Sequence, residues 1–191
     1  MVLMSLADAD RKTLHEVARA SIRYSLENGS NACYEHTLRL EVFPSALQLK
    51  RATFVTLNID NELRGCIGTL EAHDPLVIDV AHNARSAAFQ DPRFGPLSQP
   101  EFERLHIHIS ILGIPEPMAF NSEQDLIQQL RPGIDGLILS AAGRRGTFLP
   151  SVWESLKTPE EFFTHLKLKA GLPPTYWSDD VKVERYTTES F

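Results

Sequence analysis

Between residues 105 and 112, Leu105, Ile107, Ile109 and Ile111 alternate with His106, His108 and Ser110. A strict period of two predicts a strand with one face in a core and the other polar. The elements around it are of both kinds and interspersed. That order argues for an α+β fold, with a mixed or antiparallel sheet and flanking helices, not a regular doubly wound sheet.

Helical periodicity comes first along the chain. Leu14, Val17, Ala18, Ile22 and Leu26 form one apolar stripe over residues 10–28, with Asp8 or Asp10 as cap and Asn28-Gly29 as the stop. After a loop holding Pro44, residues 52–57 and 63–70 read as two strands joined by a turn at Asp60-Asn61. Asp74-Pro75 predicts a helix start, with Asp as cap and Pro at the first helical position. Val77, Val80, Ala81, Ala84, Ala87 and Ala88 then share a face, and so many alanines predict close approach to a sheet; Asp91-Pro92-Arg93-Phe94 ends the helix. Further on, Ser122 and Asp125 resemble a capping box for a helix closed by Gly133. Residues 136–140 and 146–149 read as strands joined across Ala142-Gly143-Arg144-Arg145. Thr158-Pro159-Glu160-Glu161 is a full capping box for a helix closed by Gly171, and residues 181–187 alternate like an edge strand.

With 191 residues, 42% of them apolar, the chain suits one domain over 1–191, or two interleaved subdomains sharing it. Its two cysteines, Cys33 and Cys66, form no C-x-x-C, which excludes a disulfide scaffold and a cysteine-rich zinc site and fits a reducing compartment. Residues 1–6 are too short and too soon followed by charge to be a signal peptide. No stretch approaches the roughly 20 apolar residues of a membrane span, so cytoplasm is the expected location. A net charge of −6 disfavours general nucleic-acid binding; Lys167, Lys169, Arg144 and Arg145 are the only candidates for a local basic patch, and otherwise read as solvated charges.

The chemistry concentrates in Arg64-Gly65-Cys66-Ile67-Gly68-Thr69. Two glycines weaken a strand interior, and strand glycines mark a bulge or a close approach of another backbone or a ligand. On a pleated strand Arg64, Cys66 and Gly68 share a face, so a guanidinium there favours the thiolate, the form that attacks electrophiles. The alternative is that Cys66 is a small buried hydrophobe. His106 and His108 on one strand face can bind a metal only with a third ligand, for which Asp91 or His82 are guesses; ordinary polar strand residues are the simpler explanation, and no metal site is assigned. Arg93 in Asp91-Pro92-Arg93-Phe94 either holds a carboxylate or phosphate or pairs with Asp91 in a turn. Trp153 and Trp177 are pocket or core aromatics. No phosphate-binding glycine loop, nucleophile elbow or zinc-protease helix occurs.

The segment Leu63-Arg64-Gly65-Cys66-Ile67-Gly68-Thr69 resembles the signature of the AMMECR domain family, whose bacterial members are called AmmeMemoRadiSam system protein A. Matches continue in order through Ala87-Ala88, Asp91-Pro92-Arg93-Phe94, Ile109-Ser110-Ile111-Leu112 and Gly133-Ile134-Asp135-Gly136-Leu137-Ile138-Leu139. They end with Thr147-Phe148-Leu149-Pro150, Trp153-Glu154, Lys169-Ala170-Gly171 and Trp177, so the resemblance covers nearly the whole chain. It implies a two-part α+β fold with the Arg-Gly-Cys segment at or near a cleft between the parts. It also implies genomic association with a Memo-type protein and a radical SAM protein, and so a role beside them in modifying a small molecule or a nucleic acid. It brings no established reaction and leaves the cofactor open. In relatives the position before Ile109 tends to be acidic, whereas here it is His108.

Two functions follow as expectations. In one, Cys66 is a nucleophile or covalent carrier, Arg64 binds an anionic group, and Gly65, Gly68 and Thr69 orient the substrate beside Asp91 and Arg93. In the other, the chain is a non-catalytic binding module and the same segment is structural.

Overall fold

The computed structural model describes residues 5–191, so residues 1–4 of the leader reading lie outside the described residues. The chain divides into two compact units, Met1–Leu112 with Glu189–Phe191, and Gly113–Thr188.

In the first unit α1 (Asp8–Asn28) buries Leu14, Val17, Ala18 and Ile22, the stripe read from the sequence. Its cap is Ala7, not an aspartate: Asp8 and Asp10 lie inside the first turn, where carboxylates favour the positive end of the helix dipole. Two 3-10 turns (Tyr34–Thr37 and Leu40–Val42) and α2 (Ser45–Gln48) occupy the stretch around Pro44. The hairpin of β1 (Thr53–Ile59) and β2 (Glu62–Gly68) turns at Asp60 and Asn61, both at positive φ (53° and 66°), the conformation whose twist suits a tight hairpin. Helix α3 (Leu76–Phe89) begins one residue later than predicted. Pro75 holds the cap position and its carbonyl accepts from Ile78 and Asp79, while Asp74 makes no capping bond. Because α3 packs against α1 as well as β1 and β2, it is buried nearly all round, with Val77, Val80, Ala81, Ala84, Ala87 and Ala88 in the core.

A further helix, α4 (Gln99–Glu103), has no counterpart in the sequence reading. Its signal was present: Ser98 and Glu101 stand at capping-box spacing, and the Ser98 N–H donates to Glu101 Oε2 (2.8 Å). Strand β3 (His106–Leu112) then buries Ile109 and Ile111 and exposes His106 and His108. The first sheet has the order β2-β1-β3-β8, with β8 (Thr188–Ser190) contributed by the end of the chain. Glu189 fixes that end, accepting from the Leu6 N–H (3.0 Å) and from Arg11 Nη2 (2.8 Å).

The second unit holds β4 (Glu116–Pro117), α5 (Glu123–Gln129), β5 (Gly136–Ala141), β6 (Arg144–Phe148), α6 (Pro159–Lys169) and β7 (Lys182–Tyr186). Its sheet order is β4-β7-β5-β6. β7 is therefore an interior strand and not the edge strand predicted, because the two residues of β4 pair with Glu184 and Arg185 on its other side. Helix α5 stops at Gln129, before Gly133: Pro132 disfavours helix at Arg131, and Gly133 (φ 77°) serves the turn that follows. Ala142 and Gly143 (φ 51° and 69°) form the β5–β6 turn. Thr158 caps α6, accepting from the Glu161 N–H (3.3 Å). Its end is closed by Gly171, with Leu172 N–H donating back to the Lys167 carbonyl (2.9 Å). Phe162, Phe163 and Leu166 form the core with Leu126, Leu137 and Leu139. No helix of the described residues is long and apolar enough to cross a membrane.

Candidate functional site

Strand β2 is an edge strand, so the backbone groups of Cys66 that turn away from β1 need partners. Asp91 and Arg93 supply both. The Cys66 N–H donates to Asp91 Oδ2 (2.9 Å), and Arg93 Nη2 lies 3.5 Å from the Cys66 carbonyl oxygen. Asp91 is buried and accepts in turn from the Arg93 backbone N–H (3.1 Å), Nε (2.9 Å) and Nη2 (2.7 Å). The Asp–Arg turn thus presents one acceptor and one donor to Cys66, as a neighbouring strand would. The Arg93 guanidinium holds the Asp91 carboxyl far below its usual range, and the Cys66 N–H adds to the effect. Arg93, with its side chain 53% exposed, is the cation beside Cys66.

On the face opposite the helices, Thr56 of β1 lies across from Cys66 on one side and His108 of β3 on the other. The Thr56 hydroxyl donates to Cys66 Sγ (3.3 Å), and the thiol is partly exposed. Both cysteines are free thiols.

Arg64 goes elsewhere. Between Leu57 and Asn58 the β1–β2 register shifts, leaving Arg64 as the extra residue of a bulge, so strict alternation with Cys66 fails there. Its Nε donates to Glu101 Oε1 (2.7 Å) and its Nη2 to the Gly95 carbonyl (2.9 Å), with the Phe94 ring 5.6 Å away. The Arg64 guanidinium draws the Glu101 carboxyl down to about 2, helped by Ser98. Glu101 and Asp91, both lowered by folding, therefore stabilise the protein fully above the carboxylate range, and that stability is lost as pH falls from about 5 toward about 2. Chemical denaturation across that interval should show a steep loss in the parent and a shallower one in Glu101→Gln; equal slopes would mean this pair contributes nothing.

The glycines are explained by close approach. A Cβ on Gly65 would overlap the carbonyl oxygen of Ala87 on α3, and one on Gly68 would overlap the Phe54 ring and the Thr53 carbonyl oxygen. Thr69 is tied inward: its hydroxyl donates to Asp79 Oδ1 (2.7 Å) and its N–H to the Thr53 carbonyl (2.9 Å). Asp79 was not singled out by sequence. Buried on α3, it also accepts from the Thr53 N–H (2.9 Å), the Thr53 hydroxyl (2.6 Å) and Asn83 Nδ2 (2.9 Å). Burial raises its carboxyl above the usual range, against the pull of the Thr53 and Thr69 hydroxyls.

The remaining candidates are dispersed. His106 and His108 stand exposed, His82 pairs with the buried Glu35 (3.2 Å), and Asp91 is committed to Arg93 and Cys66. No grouping of three or more metal-type ligands occurs among the described residues. Lys167 is neither solvated nor part of a basic patch: it is 2% exposed and pairs with Glu123 (2.8 Å), and Lys169 sits over the Phe148 ring (5.0 Å). Trp153 is a core residue stacked on Phe162 (3.9 Å), whereas Trp177 lines a hollow.

The fold is α+β, and in its first unit the glycine-bearing edge strand of the sheet is met by the Asp–Arg turn. The chain belongs to the AMMECR1 family, whose model matches residues 15–191. It is 36% identical to Protein MJ0810 of Methanocaldococcus jannaschii over 179 residues, 90% of this chain and 87% of that one. A Thermotoga maritima protein is 42% identical over 154 residues, 79% of this chain and 83% of that one. The crystal structure of Uncharacterized Protein PH0010 from Pyrococcus horikoshii superposes with a TM-score of 0.87 at 33% identity, covering 97% of this chain and 92% of that one.

Proposed function

We propose that the first unit carries a thiol site at Cys66, where the sulfur acts as nucleophile or covalent carrier and Arg93 holds an anionic group of the substrate. The observation that carries this reading is the fixing of Cys66 at the sheet edge by Asp91 and Arg93. It keeps a partly exposed thiol beside a half-exposed guanidinium, with a hydroxyl donating to the sulfur. A hydroxyl on the sulfur and a neighbouring guanidinium are contacts that a nucleophilic thiol and its anionic substrate would use. Arg93 takes the anion-binding role expected of Arg64: both guanidinium groups pair with a carboxylate, but the Arg93 side chain is 53% exposed against 13% for Arg64. Gly65 and Thr69 fix the strand on its α3 side, Gly68 lies on the Cys66 face against the Phe54 ring, and Asp91 positions Arg93. Through the family resemblance, the reading extends to joint action with Memo-type and radical SAM partners on a small molecule or a nucleic acid, in the cytoplasm.

The second reading, a non-catalytic binding module, draws on the commitment of Arg64, Gly65, Gly68 and Thr69 to contacts within the fold. Iodoacetamide labelling of a Cys33→Ala protein separates the two. The thiol site predicts native-state labelling of Cys66 at pH 7 about threefold or more faster than glutathione, and a matching decrease in Arg93→Gln. Labelling seen only on unfolding would make Cys66 a packing residue and leave the binding module.

A further inference from the structure

The second unit contains a hollow of about 470 Å³ lined by Met118, Phe120, Asn121, Trp177, Asp179 and Val181, among others. We infer that this hollow binds a small organic cation, an ammonium group carrying apolar substituents. It is separate in sequence and in fold unit from Cys66 and independent of the thiol reading.

The walls give the chemistry. The rings of Phe120 and Trp177 meet at 5.6 Å, tilted by 55°, so their faces are not spent in a parallel stack on one another. Aromatic faces carry the negative lobe of the ring quadrupole and attract cations, most strongly when the cation is poorly hydrated. Asp179 lines the same hollow, exposed, in no ion pair among the described residues. Its neighbour Asp180 is engaged by the Ala142 N–H (2.6 Å) and the Tyr176 hydroxyl (2.8 Å), which adds a second negative charge nearby. No lysine, arginine or histidine is among the lining residues, so an anion would meet repulsion and no donor of positive charge. Met118 and Val181 supply apolar contact for the substituents that a bare metal ion lacks.

The same aromatic cluster already holds one ammonium group in this way. Trp177 meets Phe163 edge to face (6.4 Å), and Lys167 Nζ sits 5.1 Å from the Phe163 ring centre. That ammonium is completed by the Glu123 carboxylate (2.8 Å) and the Tyr176 carbonyl (3.4 Å). Ring, carboxylate and carbonyl around an ammonium is thus a combination this unit stabilises internally. The hollow offers ring and carboxylate again, with the place of the ammonium open to a ligand.

Choline is the probe, and 3,3-dimethylbutan-1-ol is its neutral isostere. Trp177 fluorescence of the full chain reports occupancy, since Trp153 is buried against Phe162. Choline should give a saturable change with Kd of about 1–10 mM, against a sodium chloride control of equal ionic strength. The alcohol should bind at least about fivefold more weakly. Asp179→Asn, at an exposed position, should keep the parent's thermal midpoint and weaken choline about fivefold. Phe120→Leu keeps apolar volume and should weaken choline while sparing the alcohol. Equal binding of choline and the alcohol, an unchanged response in Asp179→Asn, or no saturable response to choline would each overturn the assignment.

Discussion

Gly65→Ala is expected to destabilise the first unit by about 3 kcal/mol or more, with a fall in thermal midpoint of about 6 °C or more. The added methyl group would have to occupy the position of the Ala87 carbonyl oxygen, a backbone atom in the last turn of a buried helix. A flexible side chain could rotate out of the way; this backbone carbonyl cannot move without shifting the last turn of α3 against β2. Gly95→Ala is the matched control, since nothing lies within 4 Å of a Cβ there, and it should change stability by less than about 0.5 kcal/mol. Urea denaturation of both variants checks the contrast. Equal stability of the two would show that β2 and α3 are less closely packed than described, and the glycine would then need another explanation.

Asp79→Ala should cost about 3–4 kcal/mol. It strips an acceptor from the Thr53 N–H, the hydroxyls of Thr53 and Thr69, and Asn83 Nδ2. Thr53 and Asn83 are buried, so water cannot replace the lost acceptor, and each orphaned donor costs about 1–3 kcal/mol before side chains relax. The hydroxyls can rotate toward other acceptors, which keeps the total below the simple sum. The pH dependence has the opposite sign to that of Glu101. A carboxyl raised in the folded state binds its proton more tightly there, so its contribution is most favourable below the unfolded value and declines as pH rises through the folded one. Denaturant midpoints of parent and Asp79→Asn across pH 3–7 test that sign, because the amide carries no titrating charge; an increase in the parent's relative stability with rising pH would contradict it.

Local pattern was enough for much of the fold. The apolar stripe of α1, the alternation of β3, the alanine face of α3 and the caps at Ser122 and Thr158 each depend on neighbours within a few residues, and each was legible. Helix α4 was missed, although Ser98 and Glu101 stand at capping-box spacing, because its five residues are too few to show a periodic stripe. The position of β7 was not legible, because whether a strand is at an edge depends on what pairs with it. The partner here is two residues at Glu116–Pro117, too short to carry a periodic signal.

The site divides in the same way. From the chain alone one could name Gly65, Cys66, Gly68, Asp91 and Arg93, since glycines in a strand and an Asp-Pro-Arg turn are unusual wherever they fall. Their partners lay beyond any local rule. Arg64 meets Glu101, 37 residues on, because a bulge turns it away from simple alternation with Cys66, and bulges arise from the register of two strands rather than from either one. Asp91 meets the Cys66 N–H, 25 residues back, because α3 returns the chain to the open edge of β2. Lys167 is buried because Glu123 and Tyr176 converge on it from other segments. Sequence by itself determined which residues carry unusual chemistry and which faces seek a core, since propensity, periodicity and capping act over a few residues. Only the tertiary structure decided which cation stands beside the thiol, because charge pairing is a property of distance in space, and folding sets that distance independently of separation along the chain.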